Sequence, residues 1–121
     1  MIIAYWIVAG LLALVFLGAG FSKLARPKEA LASSGMAYVE DFSAAQVKLI
    51  GAGEVLGAIG VILPMLLNIA PVVSPIAAIA LAVLMLGAVG VHVRRKEAFL
   101  PPLILSLLAA ATAVLGFLTL S

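Results

Sequence analysis

Residues 51–64 read Gly51-Ala52-Gly53-Glu54-Val55-Leu56-Gly57-Ala58-Ile59-Gly60-Val61-Ile62-Leu63-Pro64. Two things in this stretch set the class of fold. It holds one ionisable side chain, Glu54, inside an apolar run that extends from about Val47 to Leu67. Its glycines recur at helical spacing, with Gly51, Glu54 and Gly57 three apart and Gly53 to Gly57 forming a GxxxG. Small residues at this spacing let a second helix approach closely in lipid. An acid placed centrally in a span costs on the order of 2.5–3.5 kcal/mol on insertion scales, so it faces a bundle interior and reads by default as functional.

Outward from this stretch, three more apolar runs appear. They are Ile2 to about Ser22, about Pro75 to Val93, and about Phe99 to Leu120. Hydrophobic residues make up 66% of 121, about 80 residues, and a crossing uses about 20. The arithmetic gives four spans. Backbone groups without water must bond within their own segment, so the spans are helices. The reading is an all-α integral membrane bundle of four transmembrane helices, one membrane domain over 1–121, with helices at about 2–23, 44–67, 75–94 and 99–120. The first run lacks a basic leader and a small-residue cleavage pattern, which reads as a retained helix. Charged residues are 10% of the chain and mean hydropathy is +1.36. A soluble globule, a disordered chain and a nucleic-acid binder are excluded, because an average soluble domain is about 25% charged.

Local signals mark the ends. Ser43-Ala44-Ala45-Gln46 fits a capping box. Pro64 is placed to kink or stop the second span. Ser74-Pro75 offers an N-cap and first-turn proline to the third. Pro101 and Pro102 suit the first turn of the fourth. Between the first two spans lies a link from Lys23 to Ser43, in which Pro27 to Ser34 suggests a short interfacial helix with Gly35 as its C-cap. Met36, Tyr38 and Phe42 in that link are placed to dip into the interface or cover the inner mouth of the bundle. Glu29, Glu40 and Asp41 read as solvated.

All seven Lys and Arg (Lys23, Arg26, Lys28, Lys48, Arg94, Arg95, Lys96) lie in or beside the first and third links. The positive-inside rule puts those two links in the cytoplasm and both termini outside. On that topology Lys23, Glu54 and His92, from three helices, fall in the cytoplasmic half. These are the candidate ligand-binding residues, with Glu54 and His92 the candidate acid–base pair. Each has a plainer reading: Glu54 as a tie between helices, His92 as an interfacial helix end, and Lys23 as a snorkelling stop signal. Gly51, Gly53, Gly57 and Gly60 are the helix-packing candidates, and Gly18, Gly20, Gly87 and Gly90 read the same way. Tyr5 and Trp6 read as an aromatic belt. With no cysteine and one histidine, neither disulfides, thiolate sites nor a metal-ligand cluster is expected.

Gly20-Phe21-Ser22-Lys23-Leu24, the Gly51–Pro64 stretch and Met85-Leu86-Gly87-Ala88-Val89-Gly90-Val91-His92 together resemble the DoxX-like family of small four-helix membrane proteins. The resemblance covers nearly the whole chain, and its pattern falls on Lys23, Gly51, Glu54, Gly57 and His92. It implies an accessory role: the family takes its name from a subunit of a thiosulfate:quinone oxidoreductase, and a distant animal relative is a chaperone of receptor assembly. Three functions stay open on these residues. The first is a non-enzymatic module that binds a quinone-like or lipid-like molecule, or a membrane partner subunit. The second is an intramembrane acid–base enzyme on an isoprenoid or quinone. The third is a proton-coupled small transporter. No cofactor other than a bound quinone or lipid is suggested. The bilayer is the expected surrounding, and the glycine faces leave a homo-oligomer open.

Overall fold

Apolar runs of this length have one way to satisfy their backbone, and the computed structural model, which describes residues 2–33 and 36–121, is helical along all four. The long helices are α1 (Ile2–Ala25), α3 (Ala44–Leu67), α4 (Val73–Arg94) and α5 (Leu100–Leu120), with a short α2 (Lys28–Ser33) in the first link. A 3₁₀ turn follows at Ala37–Asp41. A short helix is therefore present as α2 within the expected stretch Pro27 to Ser34, while its expected cap, Gly35, lies outside the described residues. Each long helix has the length and apolar content to cross a membrane.

α1 packs on α3 and α5, and α4 packs on α3 and α5, so the four form a ring in the order α1–α3–α4–α5. The short links after α3 and α4 turn the chain back, which makes ring neighbours antiparallel. The core is built from Tyr5, Leu12 and Phe16 of α1, Val61 of α3, Leu81 and Met85 of α4, and alanines of all four helices. Large apolar side chains such as Ile3, Leu14, Leu56, Val83 and Leu107 point outward. This inverts the soluble pattern: lipid tails accept Leu and Ile, and the interior takes small residues that let backbones meet.

The starts of the helices follow local chemistry in part. Ser43 caps α3, with Gln46 N–H donating to its hydroxyl and the Gln46 amide returning the bond to Ser43 N–H. α4 starts at Val73, earlier than expected, and Ser74 is not its N-cap. The reason lies across the bundle. α3 runs through Pro64 to Leu67, and proline has no N–H for the Gly60 carbonyl. Ser74 Oγ donates to Gly60 O at 3.0 Å and accepts from Met65 N–H at 3.0 Å. The next carbonyl, Val61 O, accepts from Tyr5 Oη at 2.6 Å. Tyr5 is thus fully buried and not part of a belt; Trp6 meets its ring edge-on at 5.3 Å. A buried hydroxyl needs a partner, and the opened backbone of α3 provides it. α3 ends at Asn68, which adopts the left-handed conformation with φ 54°.

Candidate functional site

Glu54 and Lys23 meet at the opposite end of the bundle. Lys23 Nζ donates to Glu54 Oε1 at 2.7 Å, and both side chains are buried, 4% and 3% exposed. Glycine makes the meeting possible. A Cβ on Gly51 would stand 2.7 Å from the Cβ of Lys23 and 2.9 Å from Gly20 O. A Cβ on Gly20 would stand 2.7 Å from Gly51 O. α1 and α3 therefore touch through Gly20 and Gly51, the stem of Lys23 passes over Gly51, and its ammonium reaches the acid one turn further along α3. Gly57 and Gly60 bring α3 against α4, where added Cβ atoms would meet Leu81 at 2.5 Å and Ala77 at 3.0 Å.

The remaining glycine expectations are corrected. Gly53, Gly18, Gly87 and Gly90 have open space where a Cβ would stand. The GxxxG of residues 53–57 is thus split: Gly57 meets α4 while Gly53 meets nothing. The buried side of α3 runs instead through Val47, Gly51, Glu54, Ala58 and Val61, at alternating spacings of four and three.

On the charged side of the Gly57–Leu81 contact, α3 and α4 leave a cavity of about 260 Å³ between them. Ile50 and Glu54 line it from α3, and Leu84, Met85, Gly87, Ala88 and Val91 from α4. Lys23 reaches it from α1, and Tyr38 and Phe42 close it from the first link. Its walls are apolar except at the ion pair. The Lys23 ammonium lies 5.8 Å from the centre of the Tyr38 ring, within cation–π range.

His92 stands one ring away. Its imidazole lies 4.9 Å from the Tyr38 ring, centre to centre, and makes no hydrogen bond or ion pair with Lys23 or Glu54. Its Nδ1 is 2.8 Å from Ala98 O. A carbonyl only accepts, so Nδ1 carries the proton there. Of the three residues singled out by position, the structure joins Lys23 and Glu54 directly and connects His92 through Tyr38. Tyr38 was legible as a cover for the bundle mouth, but its place between a lysine and a histidine depends on long-range folding.

The cover is tied down at both ends. Val39, Leu31 and Val47 form a second small core, with Met36, Tyr38 and Phe42 packed against it. Beside it, Arg95 pairs with Asp41 at 2.6 Å, with Glu40 at 3.0 Å and with Glu97 at 2.8 Å, and Arg94 pairs with Asp41 at 3.2 Å. Glu40 and Asp41 are exposed, as their loop position suggested, and each is also paired with an arginine. They fasten the 3₁₀ turn to the end of α4. Hydrogen bonds from Arg95, and then from Arg94, hold the Asp41 carboxyl below its ordinary value, and the bonds of Arg95 to Asp41 and then Glu97 raise Arg95. Among the described residues no three His, Asp or Glu side chains gather in a way that could hold a metal ion.

A ring of four lipid-length helices with small residues inside defines a small multi-pass membrane protein. The sequence matches the DoxX-like family over residues 7–116, and the chain belongs to that family. No curated protein and no solved structure matches it.

Proposed function

We propose that this protein is a membrane module that binds an amphipathic small molecule, quinone-like or lipid-like, in the cavity at Lys23 and Glu54. One observation carries the reading: a buried ion pair forms the polar corner of an otherwise apolar cavity of about 260 Å³. An ammonium has three N–H donors, and Glu54 takes one of those of Lys23. The Tyr38 hydroxyl is also within reach of that ammonium; the donor that remains suits an oxygen acceptor on a ligand head, while Ile50, Leu84 and Met85 suit its apolar body. Glu54 orients the Lys23 ammonium. Ligand pockets for drug-sized molecules run to about 300–1,000 Å³, so this cavity fits a single ring or short head, with any longer tail left in lipid.

In this reading Glu54 is an intramembrane glutamate, and the charged end of the bundle faces the cytoplasm by the positive-inside rule, with both termini outside. Acid–base catalysis between Glu54 and His92 has less support, because the carboxylate is engaged by Lys23 and the imidazole is a ring away. The test is mass spectrometry of small molecules kept after extraction in mild detergent, followed by titration with decylubiquinone. A quinone or lipid retained by the wild type and lost on Gly87→Leu, which narrows the cavity mouth, is the expected result. Equal retention by both proteins, or no specific retention, ends the proposal.

A further inference from the structure

Lys23 borders a second cavity of a different character. It is smaller, about 140 Å³, and lies on the side of Lys23 toward α2 and the start of α3. Arg26, Lys28 and Lys48 line it with Lys23, so four of the seven Lys and Arg residues of the chain border one space, although the Lys23 ammonium itself turns to Glu54. They arrive from separate elements: Lys23 from the end of α1, Arg26 from the link, Lys28 from α2 and Lys48 from α3. Glu29 also lines it, and Glu54 neutralises Lys23 from the other cavity. Two of the four positive charges are left unbalanced. Ala44, the first residue of α3, completes the wall, which adds the positive end of that helix to the field.

Such a concentration of like charge gives the space a positive potential that favours an anion. The floor is fixed, since Lys48 Nζ donates to Leu24 O at 2.9 Å. Arg26 spends one N–H on a long 3.4 Å contact to Ala30 O, and the rest of its planar fork matches phosphate geometry. Lys28 makes no hydrogen bond or ion pair among the described residues. The cavity lies where the apolar run of α1 ends, at the depth of lipid headgroups. There, basic pockets beside spans recognise anionic headgroups.

We infer that the Lys23–Arg26–Lys28–Lys48 cavity is a binding site for a phosphate group, carried by an anionic phospholipid or by free phosphate. It stands apart from the Lys23–Glu54 cavity, because Arg26, Lys28 and Lys48 do not line that space. Lys23 borders both, so the variants that test this site lie at Lys28 and Glu29, outside the other cavity. The charge balance suits a phosphate with no cation of its own, so a phosphatidylglycerol headgroup fits and a phosphatidylcholine headgroup, with its attached ammonium, fits poorly.

The test uses the full chain in micelles containing equal amounts of dioleoyl phosphatidylglycerol and dioleoyl phosphatidylcholine, with retained lipid read by native mass spectrometry. Phosphatidylglycerol is expected in excess. Lys28→Gln should reduce that excess about fivefold, the effect of one interfacial cation. Glu29→Gln removes the opposing carboxylate and should increase it by a similar factor, so the pair of variants reads in both directions. In a second arm, sodium phosphate is compared with sodium chloride at equal ionic strength by the amide shifts of residues 26, 28, 29 and 44–48. Lipid preference that follows both variants supports a headgroup site. Phosphate-specific shifts without lipid preference support a free-phosphate site. Neither response, or a lipid preference indifferent to both variants, overturns the inference.

Discussion

The two ends of the bundle bury polar groups by opposite means. At one end Tyr5, Ser74 and the opened backbone at Pro64 pair every exposed donor and acceptor with a neutral partner, and the rings of Tyr5 and Pro75 pack against Gly116. The other half also has a neutral tie, Ser106 Oγ to Ala82 O, but it alone buries ions, Lys23 and Glu54, and a cavity opens beside them. The neutral network fits a structural part: its hydrogen bonds go to backbone groups that would otherwise be unpaired. The ion pair is a costlier way to join two helices, since apolar residues of similar volume often serve stability as well or better. The contrast teaches that burial of polarity alone does not mark a site, whereas burial of charge beside free volume does.

The sharpest way to break this comparison is at the ion pair. Glu54→Leu leaves the Lys23 ammonium without its partner and should lower stability by about 3–5 kcal/mol, measured by unfolding in mixed micelles. The double variant Lys23→Met/Glu54→Leu should restore most of that stability yet leave decylubiquinone binding abolished. A double variant that still binds would reduce the pair to a helix tie.

The mirror experiment is Ser74→Ala. It strands the Gly60 carbonyl and the Met65 amide, each at about 1–3 kcal/mol, and should leave ligand affinity unchanged. One substitution then compares the ends directly. Gly116→Leu drives a side chain into Pro75 and Tyr5, where even a Cβ would stand 3.0 Å away, and should cost about 1–3 kcal/mol through overpacking. Gly87→Leu enters open space at the cavity mouth, and with leucine the better helix former by somewhat under 1 kcal/mol, stability should hold or rise while binding falls.

The smallest effect concerns the cover. Asp41 has a depressed carboxyl pKa, so its ion pairs contribute fully above the ordinary value of 3.8 and are lost as pH falls through the lowered one. Hydrogen exchange of residues 37–42 should quicken over that acid range and, since these pairs are near the surface, also with added salt. Exchange at the Tyr5 end should not respond.

Much of this arrangement is legible in the sequence, and the parts that are not have a common cause. The four spans are carried by composition and length, and the start of α3 by a local capping box at Ser43. Glu54 announces itself because a charge in an apolar run has few innocent explanations. Position along a span also puts Lys23 and Glu54 in the same half of the bundle. Depth does not give azimuth, however, so His92 at a similar level falls behind Tyr38. Ser74-Pro75 shows why local rules miss. The motif has the residues of a helix start, but the demand on the Ser74 hydroxyl is set by a proline ten residues earlier on a neighbouring helix. Gly53 fails for a related reason: a GxxxG spacing names two positions on a helix, and only packing decides which of them meets a partner.

The side chains that complete α3 have an order in time. Ribosomes make the chain from its N-terminus, so α1 is finished before the first residue of α3 appears. Tyr5, which covers the Val61 carbonyl, and Lys23, which neutralises Glu54, both belong to α1. The helix least suited to stand alone in lipid, with its acid and its proline-opened backbone, is thus made second, next to a template that already carries a partner for each end.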